Sequence, residues 1–595
     1  MTMNTLSQHQ LAMDLEFALG NPNDEASVMS YKRVMELDER EAFQEEFFQY
    51  LMSKKVHHYY VPRQYGGQLD SYEQLYALGK VLARRDLSTA VTMSTMVWST
   101  LVWVGGSEAQ KKRCAELTLS IHGAQCLAYS EENHGSDLLA NEFRAEATEN
   151  GYRLSGEKWP INRAARSDVV MLLAKTADNV GGRNLSLFMV EKSKIDFAKY
   201  TYLPKIKTHG LRGCDICGIR FDGAEVPAST LIGESGHGLE LAIKAFQITR
   251  TLCVALSVGA LENNLRVVTE FALARKLYRA SVFDIPNAQR YLTGAFSDVL
   301  VTDALGSSLV RALHCIPKEF SVLSAVAKCF APLKLDKAQK DLATVLGARY
   351  FFREDHKEGI FQKSLRDSQV VSLFDGSSEV NLYSLSTQLP FIARRQLKAA
   401  DARREIETSL LKTIFDAKES LPAFDGNRLD LASHGKDKVM ESFTALKHNL
   451  DALQSSSDLH ANLYPLVESI YNKHIENMQW ISDNARNGLD IRSPKMFSFA
   501  KQYCITFAAV SALHYWNFNQ KQADNFIRAG HWLVTGLYRL AEELHLNPVE
   551  LPTVYWESMA EELVYRTEQS KNYGIVTCDI PDAVNLQSAP FKEAI

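Results

Sequence analysis

From about Ser30 to His122, apolar residues recur at three- and four-residue spacing. YEQLYALGKVLARRD (Tyr72–Asp86) and STMVWSTLVWVGG (Ser94–Gly106) are examples, and the spacing predicts amphipathic helices. VPRQYGG, Val61–Gly67, reads as a loop between two of them. At Ala124 the texture changes. YRLSGEKWPI, DVVMLLAKT, LSLFMVEK and CGIRFDGAEVP are short alternating or β-branched runs separated by turn residues, which predicts strands up to Ile232. The helical period returns at Gly238 and holds through GLELAIKAFQITRTLCVALSVGALENNLRVVTEFALARK, long enough for a bundle helix. Beyond ARRQLKAADARREIETSLLK it continues to about Lys571, broken by the polar connection SLPAFDGNRLDLASHGKDK. The pattern predicts a mainly α chain with a central β domain. Residues 1–123 are helical, 124–235 β, 236–398 a helical bundle and 399–595 an additional helical domain with an irregular end.

A length of 595 residues fits roughly three or four domains. With 46% hydrophobic and 23% charged residues, the composition is that of a soluble globular protein. A net charge of -5 and the lack of a basic tract give no case for nucleic-acid binding. The first twenty residues do not read as a secretory signal, and nine scattered cysteines fit a reducing compartment, so a cytoplasmic protein is expected. Cys214 and Cys217 form a CxxC without a second pair, and no metal site is expected. The longest uncharged stretch, Gln502–Gln520, is interrupted by polar residues. It predicts a buried core helix and no transmembrane segment.

LRDSQVVSLFDGSSEV, Leu365–Val380, places a carboxylate, Asp375, between an apolar run and a glycine. Asp before Gly-Ser caps a helix by accepting free N–H groups. An acid held against apolar residues also has the makings of a base, because desolvation raises its pKa. The residues alone leave both readings open.

Six stretches in a fixed order resemble the acyl-CoA dehydrogenase family of flavoproteins. They are VPRQYGG, GGSEAQKKR (Gly105–Arg113), YSEENHGSD (Tyr129–Asp137), KTHGLRGCDICGIRFDGAEVP (Lys207–Pro227), ALARKLYRA (Ala272–Ala280) and LRDSQVVSLFDGSSEV. The resemblance covers roughly residues 40 to 395. It implies an N-terminal helical domain, a β-barrel-like middle domain and a C-terminal four-helix bundle, with the additional helical domain of longer members. It also implies FAD and the α,β-dehydrogenation of an acyl thioester, carried by CoA or by a carrier protein, in fatty acid or polyketide metabolism. Asp375 then takes the place of the family's base, normally Glu. Some relatives carry the base on the first long bundle helix, where this chain has Thr249. Glu379 is the spare acid of the motif.

The remaining roles follow from the resemblance. Tyr129, Ser130 and Ser136 match flavin and phosphate contacts. Trp159 and Asn162 stand near the family's aromatic and N5-facing hydroxyl, with Pro160 in the aromatic's place. Arg275 and Tyr278 match residues that reach a neighbouring subunit's flavin. Thr344 and Gly347 lie in a segment contacting a neighbour's pyrophosphate, where Arg349 is a candidate charge. Ser377 and Glu379 belong to the flavin side of the catalytic segment, and Thr249, Arg250, Phe374 and Gly376 to the substrate side. The implied partners are an acyl-CoA or acyl-carrier protein, an electron-transferring flavoprotein or oxygen as acceptor, and a second copy of the chain in a homodimer. Two alternatives share the scaffold: an oxidase of the nitroalkane oxidase type, which uses Asp as base, and a flavin-bound protein without turnover.

Overall fold

The structure is a computed structural model that describes residues 8–120, 124–178, 182–401, 408–453, 456–521 and 523–581. Helices occupy the chain up to Leu119, and strands fill the stretch from Gln125 to Ile232. The strands are β1 (Gln125–Ala128), β2 (Arg144–Ala147), β3 (Gly151–Asn162), β4 (Val169–Lys175), β5 (Leu185–Glu191), β6 (Tyr200–Tyr202), β7 (Ile216–Pro227) and β8 (Leu231–Ile232). They form one eight-stranded sheet in the order β6-β7-β3-β2-β4-β5-β8, with β1 parallel to β4.

Period-two alternation explains how this sheet separates two cores. On β4, Val170, Leu172 and Ala174 face a core inside the β domain that also takes Phe188, Val190, Ile219 and Phe221. The intervening Val169, Met171 and Leu173 face the helices instead. A strand apolar on both faces therefore sits between the two cores, and DVVMLLAKT is continuous rather than alternating for that reason.

The bundle begins with the 37-residue helix Gly238–Ala274. Around it pack Tyr72–Arg85, Pro286–Cys315 and Phe320–Leu346, and Ser378–Asp401 packs on the last of these. After Asp401, the helical reading of ARREIETSLLK falls partly on 402–407, outside the described residues, and helix resumes at Thr408–Phe415. Four longer helices follow: Asp458–Asn484, Pro494–Asn519, His531–Glu543 and Thr553–Glu568. Their apolar residues join the same core as the bundle. A buried ion cluster also ties them to it. Asp298 and Glu543 both accept from Lys334 (3.1 and 2.7 Å), and the Arg539 guanidinium donates to Asp298.

Gln502–Gln520 lies almost wholly within Pro494–Asn519, and most of its side chains are buried. Among the described residues two helical segments are apolar and long enough to cross a membrane, Leu87–Gly105 and Gly238–Ala274, both largely covered by protein, with the sharply bent pair Pro286–Cys315 and Pro317–Phe351 as a third by the same measure. All nine cysteines are free, Cys214 and Cys217 are buried, and the described residues hold no cluster of metal-ligating side chains.

Candidate active site

Asp375 stands in a tight turn between the 3-10 turn Gln369–Ser372 and the helix Ser378–Asp401. Its φ of 56° and the φ of 84° at Gly376 reverse the chain. Aspartate tolerates the left-handed region better than most residues. Gly376 is required on two counts, since a Cβ there would also meet the Arg250 guanidinium at 2.7 Å.

Inward-pointing carbonyls fix the turn. The Lys328 ammonium donates to Val371 O, Arg250 Nε to Asp375 O at 2.9 Å, and Asn381 Nδ2 to both Gly376 O and Ser377 O at 2.9 Å. The helix cap is Ser377, whose hydroxyl accepts the Val380 N–H at 3.3 Å. Asp375 is thus not the cap, and its carboxylate is free for another task. Its side chain is partly accessible. Burial pushes its carboxyl above the usual range; Lys328, a hydrogen bond from Thr249 and the charge of Arg250 oppose that rise. The N–H of Asp375 has no protein acceptor among the described residues. Of the neighbouring hydrophobics, Val371 is buried and Phe374 lies under the Lys328 ammonium at 4.3 Å. Leu373, 62% exposed, turns away to solvent and adds nothing to the apolar wall.

Phe246 connects this turn to the sheet. It is one helical turn before Arg250, whose guanidinium lies 5.3 Å from its ring centre, and its ring meets Tyr129 edge-on at 5.7 Å. Beside Tyr129, Ser130 O accepts the Trp159 N–H at 2.9 Å. The β3–β7 register shifts between Lys158 and Ile161, so Trp159 and Pro160 bulge out, Ile161 re-enters the ladder opposite Cys217 and Asn162 follows opposite Ile216. Gly218, opposite the bulge, has no room for a Cβ, which would meet Lys158 O at 2.9 Å. Tyr129, Ser130, Trp159, Asn162, Thr249, Arg250 and Asp375 are therefore linked, contact by contact, from the sheet to the bundle.

The other anticipated residues lie elsewhere. Ser136 is exposed in the loop after β1. Arg275 and Tyr278 follow the far end of Gly238–Ala274, roughly 37 Å along the helix from Arg250. Both are exposed, Tyr278 at 95%. Thr344 and Gly347 are exposed near that same end, where Arg349 lies 6.0 Å from the Phe271 ring. Arg349 is held by Asp355 at 2.7 Å, so its charge is already partnered. Ser377 and Glu379 sit beside the turn, and Glu379 is exposed in a surface groove with Leu382, Arg492 and Phe497. A carboxylate in that position lacks the apolar enclosure a base requires.

Two of these residues carry marks of an absent ligand. Asn162 Oδ1 and the Tyr129 hydroxyl are buried without a hydrogen-bond partner. Nothing lies within 4 Å of a Cβ placed on Gly135, leaving an open approach to that loop. Such a set offers hydrogen-bonding groups to a polar cofactor.

Sequence reasoning did not find Lys328, Asn381 or Phe246. The signal for Lys328 was a lone lysine inside the apolar run LSAVAKCFAPL.

Three family models match in chain order: the acyl-CoA dehydrogenase N-terminal domain over residues 26–120, the middle domain over 126–224 and the C-terminal domain over 236–389. These mark a flavoprotein oxidoreductase with FAD as its cofactor. The chain belongs to the acyl-CoA dehydrogenase family. An acyl-CoA dehydrogenase of Bacillus subtilis is 28% identical over 340 residues, 55% of this chain and 85% of the relative. The butyryl-CoA dehydrogenase structure from Megasphaera elsdenii has a TM-score of 0.58 at 22% identity, covering 65% of this chain and all of that one. An acyl-CoA dehydrogenase complexed with FAD from Bacillus anthracis has a TM-score of 0.66 at 16% identity and covers 96% of both chains. The shared fold with the latter includes the additional helices.

Proposed function

We propose that the protein removes hydrogen from the α and β carbons of an acyl thioester, with Asp375 as the base that takes the α proton. The observation that carries this reading is the part-buried carboxylate of Asp375, on a turn held by Arg250 and Lys328 from two bundle helices and released from capping by Ser377. Its raised pKa makes it a stronger base than an exposed aspartate. The free N–H of the same residue can donate to the thioester oxygen, where negative charge grows as the proton leaves. Bound FAD supplies the oxidant, accepting the β hydrogen as hydride. Tyr129, Ser130, Ser136, Trp159 and Asn162 would hold it in one subunit, with Ser377 and Glu379 beside the turn. Thr249, Arg250, Phe374 and Gly376 would line the acyl side. Arg275, Tyr278, Thr344 and Gly347 are too far along the bundle to serve the same flavin, so we assign them to the flavin of a second copy in a homodimer.

Asp375→Asn should retain FAD and bind substrate, yet slow anaerobic flavin reduction by at least about a thousandfold. Unchanged reduction would remove Asp375 from the role. A panel of acyl-CoA and acyl-carrier substrates, followed by flavin bleaching, separates the two carriers. An aspartate in the base position also favours the oxidase of the nitroalkane oxidase type as second reading. Oxygen consumption with a nitroalkane and inertness toward every acyl thioester would select it.

A further inference from the structure

Lys328 is fully buried in the helix Phe320–Leu346, directly beneath the turn that carries Asp375. Burying an ammonium is costly unless an anion or several acceptors compensate. The other buried lysines obey that rule, Lys192 through three neutral acceptors (Ala164 O, Ala165 O and the Tyr202 hydroxyl) and the rest through carboxylates. Lys158 meets Glu131, Lys334 meets Asp298 and Glu543, and Lys363 meets Asp86 and Asp367. Lys328 has no carboxylate of the described residues within ion-pair distance. Its contacts are Val371 O, Cys253 Sγ at 3.7 Å and the face of Phe374 at 4.3 Å. The acid whose charge it feels is Asp375.

Resting on the reading of Asp375 as base, we infer that Lys328 is a positioning residue for it: the ammonium pins the 371–375 turn from below and supplies the counter-charge that keeps a desolvated carboxylate ionised. Arg250 and Lys328 grip the two ends of the same turn, one on Asp375 O and the other on Val371 O. They come from different helices, so the turn is clamped between the first and third helices of the bundle. The groups facing the carboxylate can be named on each side. Gly238–Ala274 presents Thr249, Arg250 and Cys253, Phe320–Leu346 presents Lys328, and the turn itself adds no second acid, since Glu379 points to the surface. Cys253 stays protonated, its thiol pushed up to about 11 by burial. Two cations and no competing anion thus surround one carboxylate. Removing either cation should make Asp375 harder to ionise.

The test uses the FAD-loaded enzyme and the acid limb of its kcat/KM profile, which reports the base in the free enzyme. Lys328→Gln keeps a donor for Val371 O but loses the charge, and Lys328→Met loses both. Both should move the acid limb up by about one pH unit or more, a roughly tenfold loss of kcat/KM on its acid side. The Met variant should also lose kcat through the loosened turn. Lys328→Arg keeps the charge and should keep the limb in place even where kcat falls. Neutral variants that hold FAD and titrate like the parent would overturn the inference. Should neither neutral variant fold, a displaced limb in Lys328→Arg would overturn it equally. Failure of the base reading looks different: Asp375→Asn would then reduce flavin normally, and no variant at Lys328 could bear on it.

Discussion

At position 375 one missing methylene bears directly on the proposed role as base. A glutamate would carry its carboxylate about 1.5 Å further from the backbone than aspartate does. The turn around the shorter side chain is held closely, with Arg250 Nε on Asp375 O at 2.9 Å and Gly376 against the Arg250 guanidinium. Asp375→Glu should therefore not restore a more active family form. It should reduce flavin on the order of a hundredfold more slowly than the parent, because a misplacement of about 1 Å costs that much. Stopped-flow reduction with the best substrate measures it, and a rate equal to or above the parent would show a recess already shaped for Glu. Asp375 was legible in the sequence because an acid between VVSLF and Gly-Ser is conspicuous. Lys328 was not, because a single lysine in an apolar helix is as readily explained by a long stem reaching solvent. Only the fold puts its ammonium under Val371, forty-three residues downstream.

At the level of elements, β4 and the long bundle helix were legible because their apolar runs admit one arrangement each. The polar connection after Phe415 was legible as a loop but not as an anchored one. His314 contacts Pro422 O at 3.0 Å, Gln247 donates to Asp430 O at 2.6 Å, and the Ser433 N–H donates to Gln388 at 2.8 Å. Those partners come from three bundle helices, and no local pattern announces them. The loop ends at Asp437, which accepts the Met440 N–H at 3.0 Å and the Tyr503 hydroxyl in complete burial. Burial pushes its carboxyl up to about 7, with Glu319 and Glu441 adding to the rise. A carboxyl that holds its proton more tightly when folded contributes stability that is full below about pH 4 and lost as pH climbs to about 7. Asp437→Asn keeps a capping oxygen without the titration. Its melting temperature relative to the parent should rise by about 2–4 °C or more between pH 5 and pH 7.5 and then level off. A difference independent of pH across that range would remove the ionisation from the account.

Across the whole molecule, the additional helices cover one face of the bundle. Pro494–Asn519 packs on Pro286–Cys315, Phe320–Leu346 and Ser378–Asp401, and the Asp298–Arg539–Lys334–Glu543 cluster closes the joint. The opposite condition holds at the end of Gly238–Ala274. Tyr278 is 95% exposed and Phe351 78% exposed, with Arg275 also exposed beside Tyr278. Large exposed aromatics with an unburied arginine are what a partner surface requires. One face is filled by the chain itself and one is left for a second copy, which predicts a dimer and not a tetramer. Light scattering on the FAD-loaded protein measures this directly, and a stable tetramer would refute the role given to the additional helices. The same surface predicts a linkage to cofactor. Replacing Tyr278 and Arg275 together by serine should weaken association and release FAD in parallel, because each subunit would lend those residues to the other's flavin. Monomers that keep full FAD occupancy would mean that each chain holds its flavin alone, through Tyr129, Ser130, Ser136, Trp159 and Asn162.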